Sequence, residues 1–512
     1  MTKKKTAVKK PAKKTQQAVR RSALPKDGFH DASLYYGDCF DVMKKWVESG
    51  QCEVADLIYL DPPFNSKAHY NILFGTGNGQ PAQVIAFEDT WTWNEAAQER
   101  LDNLKRPPYS SEVIETINGL HAILGECGML SYLTYMAERL HYCRLMLKSS
   151  GGIYLHCDPT ASHYLKILMD AIFGRRNFQN EIVWWYSWGL HTPKQWNKKH
   201  DIILYYAKDA NQIFFDGAQV RVPYRPGSGM TTDPRWNKKY NPAGKLPEDV
   251  FDIPTINGMS KERIGYPTQK PLALLDRIIK GSTKQGDFVL DPFCGCGTTA
   301  VAAHKLKRRW CGIDLSAFPV ELIRARLHDI RDLIHVDGIP RDMKGARLLA
   351  KKPFEFEKWA IMSIPGMLPN TKQTSDGAVD GRGWLENDIS GAVKPPASKS
   401  PMVIAQVTKS PSTDLNKIRA LHSSMMEKKA LFGIYITLER LSLTPSIQKI
   451  ITTAGSVKKG ANQYPCLQLY SVADFFDGKK PDLPPLATLR VLARGASRTS
   501  IKQERFDYEE KL

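Results

Sequence analysis

The sequence predicts an α/β protein: a parallel sheet covered by helices on both faces, followed by a smaller α/β unit. Three observations predict it. Short apolar runs alternate with stretches whose apolar residues recur at helical spacing. Two of those runs end in Asp-Pro turns, at Asp61-Pro62 and Asp291-Pro292. At 512 residues the chain is too long for one ordinary domain.

The elements follow in order. Ser33 to Tyr36 reads as a strand ending at Gly37-Asp38, with a helix near Phe40 to Val47. Val54 to Leu60 is a strand-like run into Asp61. Residues 65–93 are rich in Asn, Gly and aromatics, a loop composition. Leu133, Met136, Leu140, Cys143 and Leu147 keep helical spacing, with Ser131 as N-cap and Gly151 as stop. Ile153 to His156 reads as a strand, and Leu165, Leu168, Met169 and Ile172 as one face of the next helix. Residues 184–250 break the alternation. Trp184, Trp185, Tyr186, Trp188 and Trp196 precede basic sequence with Arg221, Arg225, Arg235, Lys238 and Lys239, and Asp201 to Ala207 reads as a strand within it. Alternation resumes with a helix at Leu272 to Ile279, a strand at Phe288 to Leu290, a helix from Thr298 towards Lys307 and a strand ending at Asp314. A new unit opens near residue 345, with a helix from Phe354 to Ala360.

The net charge of +19 and pI near 9.3 point to a polyanionic partner, most simply nucleic acid; a generally basic surface is the plainer alternative. Residues 1–26 carry ten Lys/Arg and no acid, so they are expected to be a disordered basic tail adding phosphate attraction. They hold no apolar signal core, and no run of about 18 apolar residues exists, so neither secretion nor a membrane span is expected. The nine cysteines form no CxxC. A reducing cytoplasm fits, and neither a disulfide framework nor a metal site is expected.

The two turns suggest different chemistry. Asp61-Pro62-Pro63-Phe64 offers a carboxylate, a backbone carbonyl fixed by two proline rings, and an aromatic face. Two acceptors aimed at the N–H bonds of a planar amino group localise its lone pair, and the ring can stack on a base. Asp291-Pro292-Phe293-Cys294-Gly295-Cys296-Gly297-Thr298-Thr299 is a strand–turn–helix that brings backbone close to a nucleotide-like ligand. Asp314 ends the next strand, 23 residues after Asp291, where a carboxylate can accept from ribose hydroxyls. Taken alone, Asp38 or Asp314 reads equally well as a helix cap.

Together these motifs resemble the β-class, permuted DNA amino-methyltransferases, in which the catalytic half precedes the cofactor half. The resemblance implies a Rossmann-like methyltransferase sheet, S-adenosylmethionine as cofactor and double-stranded DNA as partner, with the target base flipped out. It assigns Asp61, Pro62, Pro63 and Phe64 to catalysis. It sets Asp291, Phe293, Gly295, Gly297 and Thr298 around the methionine part, Gly37-Asp38 at the adenine and Asp314 at the ribose. Lys270, in Tyr266-Pro267-Thr268-Gln269-Lys270-Pro271, falls near the methionine end. Asp at position 61 leans towards adenine N6, whereas Ser is commoner among cytosine-N4 enzymes. Cytosine N4 remains the alternative. RNA or a protein amide is the remoter substrate, and a methyltransferase half that is only structural is the rival from another class.

The same reading places the methyltransferase at 27–340, with a candidate target-recognition insert at about 187–262. Residues 350–485 resemble an Mrr-like restriction-endonuclease domain, through the Phe354 to Ala360 helix, Asp376-Gly377-Ala378-Val379-Asp380-Gly381, and strands at Met402 to Val407 and Leu431 to Leu438. Residues 486–512 are a charged tail. An active nuclease of that type needs Asp380, an acid or Gln such as Gln406, and Lys two places later around magnesium. Lys409 comes one place late and by strand alternation would face away. A degenerate domain that binds DNA or a partner is therefore expected, with an unrelated accessory domain as the alternative. The reading leaves room for a bifunctional restriction-modification protein, a homodimer and a restriction partner.

Overall fold

The computed structural model describes residues 28–63, 68–75, 81–89, 91–186, 193–194, 196–224, 241–257, 259–264, 266, 268–315, 318–364, 366–370, 379–385, 402–409, 414–459 and 461–486. The 1–26 and 487–512 segments, Phe64, Trp188, Arg225, Arg235, Lys238, Lys239 and Asp376 lie outside the described residues.

In chain order the strands of the first unit are β1 (Ala32–Tyr36), β2 (Ala55–Leu60), β3 (Ala68–Gly75), β4 (Pro81–Asp89), β5 (Leu147–Cys157), β6 (Phe178–Trp185), β7 (His200–Ala207), β8 (Val250–Asp252), β9 (Phe288–Asp291), β10 (Arg309–Asp314) and β11 (His335–Asp337). Nine of them form one sheet in the order β11-β1-β10-β9-β2-β5-β7-β6-β8. The strands are parallel from β11 to β5, but β7 runs antiparallel to both β5 and β6. The expectation of a parallel sheet is corrected there. The chain returns from β6 without a crossover helix, and a strand reached that way must run antiparallel.

Helices α1 (Cys39–Glu48), α2 (Glu95–Leu104), α3 (Ser111–Leu124), α4 (Gly128–Met146) and α5 (Ser162–Phe173) come from the first half, α6 (Leu272–Ser282), α7 (Thr298–Lys305) and α8 (Phe318–Arg326) from the second. Strand alternation divides the core between the two faces. Ile58, Leu60, Ile153, Leu155, Leu290 and Ile313 join Met43, Met136, Leu140 and Leu165 on one side. Leu57, Tyr59, Tyr154, Val289 and Trp310 join Leu274, Ile278 and Ala303 on the other. Each fully buried Leu or Ile contributes about 1.5–3 kcal/mol. Among the described residues no helix is long and apolar enough to cross a membrane.

Three local expectations are corrected. Within residues 65–93, β3 and β4 pair as an antiparallel hairpin with a register shift between Tyr70 and Asn71. Its β-branched and aromatic residues outweigh the Asn and Gly that gave the segment its loop composition. Ser131 is no cap: α4 starts earlier, after Cys127, because Leu130 is also buried. Gly151 lies inside β5, where a Cβ would sit 3.0 Å from the carbonyl oxygens of Ala55 and Asp56. It marks close backbone approach rather than a helix end.

The second unit contains α9 (Met343–Leu349), α10 (Pro353–Met362), α11 (Leu415–Lys428), α12 (Pro445–Ala454) and α13 (Val472–Phe476). Its strands are β12 (Met367–Pro369), β13 (Gly381–Trp384), β14 (Met402–Thr408), β15 (Ala430–Thr437), β16 (Ser456–Lys459), β17 (Asn462–Pro465) and β18 (Leu467–Ser471). Five form a mixed sheet in the order β12-β13-β14-β15-β18.

Gly312 in β10 ties the main sheet to the turn above it. A Cβ there would lie 2.9 Å from Cys294 Cβ and 3.1 Å from Leu34 Cδ2. Gly312→Ala is expected to cost about 1–3 kcal/mol by overpacking, read as a lower midpoint in chemical denaturation. An unchanged midpoint would show that the turn can move freely.

Candidate active site

Sheet order assembles the site. Neighbouring strands β1, β10, β9 and β2 all run parallel and end at one edge, and each end carries an Asp: Asp38 beyond β1, Asp314 on β10, Asp291 on β9 and Asp61 beyond β2. The register pairs Tyr36 with Asp314, Gly312 with Asp291 and Ile58 with Leu290. Motifs about 230 residues apart in sequence become adjacent because β9 pairs with β2.

The Asp291 turn closes through Gly297 N–H donating to the Cys294 carbonyl at 2.7 Å. Gly297 has φ +74°, and a Cβ there would fall 2.3 Å from Ile323 Cγ1, so only Gly fits. Gly295 N–H donates to Asp314 Oδ2 at 2.9 Å, locking the turn to β10. Thr298 opens α7 and is buried. Phe293 packs against the first core face, 6.5 Å from the Tyr135 ring. Asp291 accepts the Phe293 N–H at 3.0 Å and is almost fully buried. Burial first, then the charges of Asp61 and Asp314, push its carboxyl up to about 7.

Asp38 accepts the Phe40 N–H at 2.9 Å as cap of α1. Arg139 Nη2 donates to its two oxygens at 2.7 and 2.5 Å. Arg139 is buried in α4, donates to the Tyr135 carbonyl at 2.9 Å and lies 3.2 Å over the Tyr135 ring centroid. Asp38 thus combines the cap and an ion pair. Sequence reasoning missed Arg139; its signal was a lone Arg within an otherwise apolar helical face.

Lys270 lies at the Asp61 turn. Its ammonium donates to both oxygens of Asp61, at 2.7 and 2.6 Å, with both side chains largely buried. Pro62 is buried and Pro63 half-buried. Beside this pair lies a polar chain that the sequence reading did not single out. Tyr59 hydroxyl lies 2.9 Å from His156 Nδ1, and His156 Nε2 lies 3.1 Å from Asp201 Oδ2. Tyr186 hydroxyl donates to Asp201 Oδ1 at 3.1 Å. Burial acts to raise the Asp201 pKa, but the bond from His156, the nearby Lys270 charge and Tyr186 outweigh it and hold it low.

Before the insert, Trp184 of β6 is core, its Nε1 donating to the Ile253 carbonyl at 2.7 Å, whereas Trp196 within it is 96% exposed. In the second unit, Asp380 accepts the Val407 N–H at 2.7 Å, and Gln406 Oε1 is buried without a hydrogen-bond partner among the described residues. Lys409 lies beyond the end of β14, where alternation no longer fixes its direction. Burial and then Asp380 raise the Glu357 pKa, against Lys409 and Lys417.

Asp291→Asn is expected to stabilise the protein in a pH-dependent way. The folded carboxyl near 7 lies above the unfolded value near 3.8, so wild-type stability is lost as pH rises between them. The gain in thermal midpoint for the variant therefore grows from pH 5 to pH 7 and levels above about 7. A gain independent of pH would remove the buried carboxylate as its cause.

Residues 55–325 match the N6_N4_Mtase family of DNA methylases. Type II methyltransferase M.HpaI of Haemophilus parainfluenzae is 31% identical over 239 residues, covering 47% of this chain and 72% of that relative. DNA adenine methyltransferase YhdJ of Escherichia coli K12 is 32% identical over 200 residues, covering 38% and 67%. The solved M1.HpyAVI–SAM complex is 17% identical, covers 58% of this chain and 98% of that one, and has a TM-score of 0.34, a likeness too slight to bear on the site. The family match takes in β2 with its Asp61 turn and β9 with its Asp291 turn, over more than half of the chain; this protein belongs to the DNA methylases.

Proposed function

We propose that this DNA methyltransferase transfers a methyl group from S-adenosylmethionine to adenine N6 at specific sites in double-stranded DNA. The observation that carries the reading is the row Asp38, Asp314, Asp291, Asp61 along one sheet edge. Its order suits a nucleoside cofactor: adenine at Asp38, ribose at Asp314, methionine part at Asp291, target amine at Asp61. The residues fit the group, since a cationic sulfonium suits an edge of carboxylates. Phe293 and Thr298 border the methionine part in this reading.

When bound, S-adenosylmethionine supplies an electrophilic methyl group. Asp61 and the Pro62 carbonyl accept the two N–H bonds of the flipped base, which localises the nitrogen lone pair for in-line attack. Pro62 and Pro63 fix the turn, and Phe64 stacks on the base. Asp61 is hydrogen-bonded to the nitrogen and so positioned to take the proton it sheds. Extruding the base costs roughly a few kcal/mol. The name of the adenine-methylating relative and the Asp at position 61 support adenine. The exposed Trp196 and the basic insert suit target recognition.

The second unit is read as an Mrr-like domain that binds DNA without cutting it. A restriction partner and a second copy of the chain are the assemblies this reading admits. Incubation with supercoiled plasmid and magnesium is expected to leave the plasmid intact; linear or nicked product would make the protein bifunctional.

Methyl transfer from labelled S-adenosylmethionine to unmethylated genomic DNA, followed by nucleoside mass spectrometry, is expected to give N6-methyladenine. N4-methylcytosine would overturn the base assignment. Asp61→Ala is expected to lower turnover by about 10²-fold or more while keeping cofactor binding. Near-native turnover would remove Asp61 from the chemistry.

A further inference from the structure

Asp38 carries more than a helix cap requires. As the N-cap of α1 it needs one oxygen, and Oδ1 accepts the Phe40 N–H at 2.9 Å. Ser, Thr or Asn would cap as well and bring no charge. Yet Arg139 also reaches both oxygens, Nη2 donating to Oδ1 at 2.7 Å and to Oδ2 at 2.5 Å. The Arg139 side chain is 4% exposed and that of Asp38 29%. Burying a guanidinium carries a desolvation cost that capping does not call for.

The guanidinium is held from several sides. Nη1 donates to the Tyr135 carbonyl at 2.9 Å and stands 3.8 Å from the Glu138 carboxylate. The guanidinium carbon lies 3.2 Å from the centroid of the Tyr135 ring, which in turn is 6.5 Å from Phe293 of the Asp291 turn. Helix α4 is fastened to α1 by the edge contact of Phe40 with Tyr142 at 5.4 Å and by Cys143 against Met43 at 3.9 Å. Fixed in this frame, Arg139 sets the rotation of the Asp38 carboxylate.

A carboxylate offers about four lone-pair sites. The cap and Arg139 engage two on Oδ1 and one on Oδ2 among the described contacts, which leaves one on Oδ2 in a side chain still partly open to solvent. Paired with a guanidinium, Asp38 is an acceptor that donates nothing. On adenine the 6-amino group is the donor, whereas a 6-oxo purine presents an acceptor at the same place and would meet Oδ2 lone pair to lone pair.

We propose that Arg139 is a positioning residue for cofactor selection: it keeps Asp38 charged and turned so that the remaining Oδ2 lone pair takes the 6-amino group of the cofactor's adenine and rejects a 6-oxo purine. The proposal rests on the reading of Asp38 at the adenine end of the site. Tyr135 serves as the platform on which the guanidinium lies, beside the Phe293 that borders the methionine part.

The test is calorimetric binding of S-adenosylhomocysteine and its 6-oxo counterpart, S-inosylhomocysteine, to the full chain. Wild type is expected to bind the adenosyl ligand about 30-fold more tightly. Arg139→Met keeps most of the volume without the charge, and is expected to narrow that ratio to about threefold. In an Asp38→Asn background, whose amide can donate as well as accept, adding Arg139→Met is expected to change the ratio by less than about twofold. Equal binding of the two ligands by wild type would overturn the proposal, as would an unchanged ratio in Arg139→Met or equal changes in the two backgrounds. A lower thermal midpoint with the ratio intact would likewise overturn it, marking Arg139 as structural. If Arg139→Met does not fold, Arg139→Lys decides. It keeps the charge but not the planar fork, so the ratio is expected to fall about threefold, and a wild-type ratio would sink the idea. Asp38→Ala is measured alongside. A ratio retained there would take Asp38 away from the adenine and bring down the underlying reading, whatever Arg139→Met shows.

Discussion

Like charges on one sheet edge repel, and the four carboxylates that end β1, β10, β9 and β2 impose that constraint on everything around them. Each is met differently. Asp38 has the Arg139 guanidinium and the Phe40 N–H in the first turn of α1. Asp61 has the Lys270 ammonium. Asp314 accepts a backbone N–H from the glycine turn. Asp291 is the most buried of the row, and burial pushes its carboxyl up to about 7. Two cations, backbone N–H groups and a raised carboxyl pKa let four acids share an edge.

The edge exists because of sheet order, not sequence order. β2 and β9 are about 230 residues apart, yet pair directly. Between them in sequence the chain builds β3 and β4, α2 to α4, β5, α5 and β6, then the basic insert with β7 and β8, then α6. All of that must leave and return without disturbing the pairing. The reversal at β7 matters most. A crossover helix would have made β7 parallel and put Asp201 at the opposite edge, away from the Asp61 turn. The antiparallel return sets it beside His156 and Lys270 instead.

Much of this was legible because parallel strands buried on both faces give dense apolar runs, and Asp-Pro and Gly turns mark their ends. Asp38, Asp61, Asp291 and Asp314 were all found this way. Arg139, His156 and Asp201 were not. A single charged residue inside an apolar period reads as an ordinary core or surface residue until its partner is known. The partners lie 101 residues away for Arg139 and Asp38, and 45 for His156 and Asp201. Such pairings depend on strand register, which local sequence does not encode. The β3–β4 hairpin was missed for a different reason, since Asn and Gly mask strand-forming neighbours. Gly151 was misread because a glycine that ends a helix and one that admits a neighbouring backbone look alike in sequence.

The Lys270–Asp61 pair shows how stability and chemistry meet at this edge. An unpaired carboxylate at Asp61 would add to the repulsion that already raises the Asp291 pKa. Lys270 relieves that repulsion before any ligand arrives. A neutral residue at 270 would leave Asp61 without its resident cation, while Arg139 would still pair with Asp38. Burial acts against the charge of Asp201 on β7, and His156, Lys270 and Tyr186 together hold its pKa low.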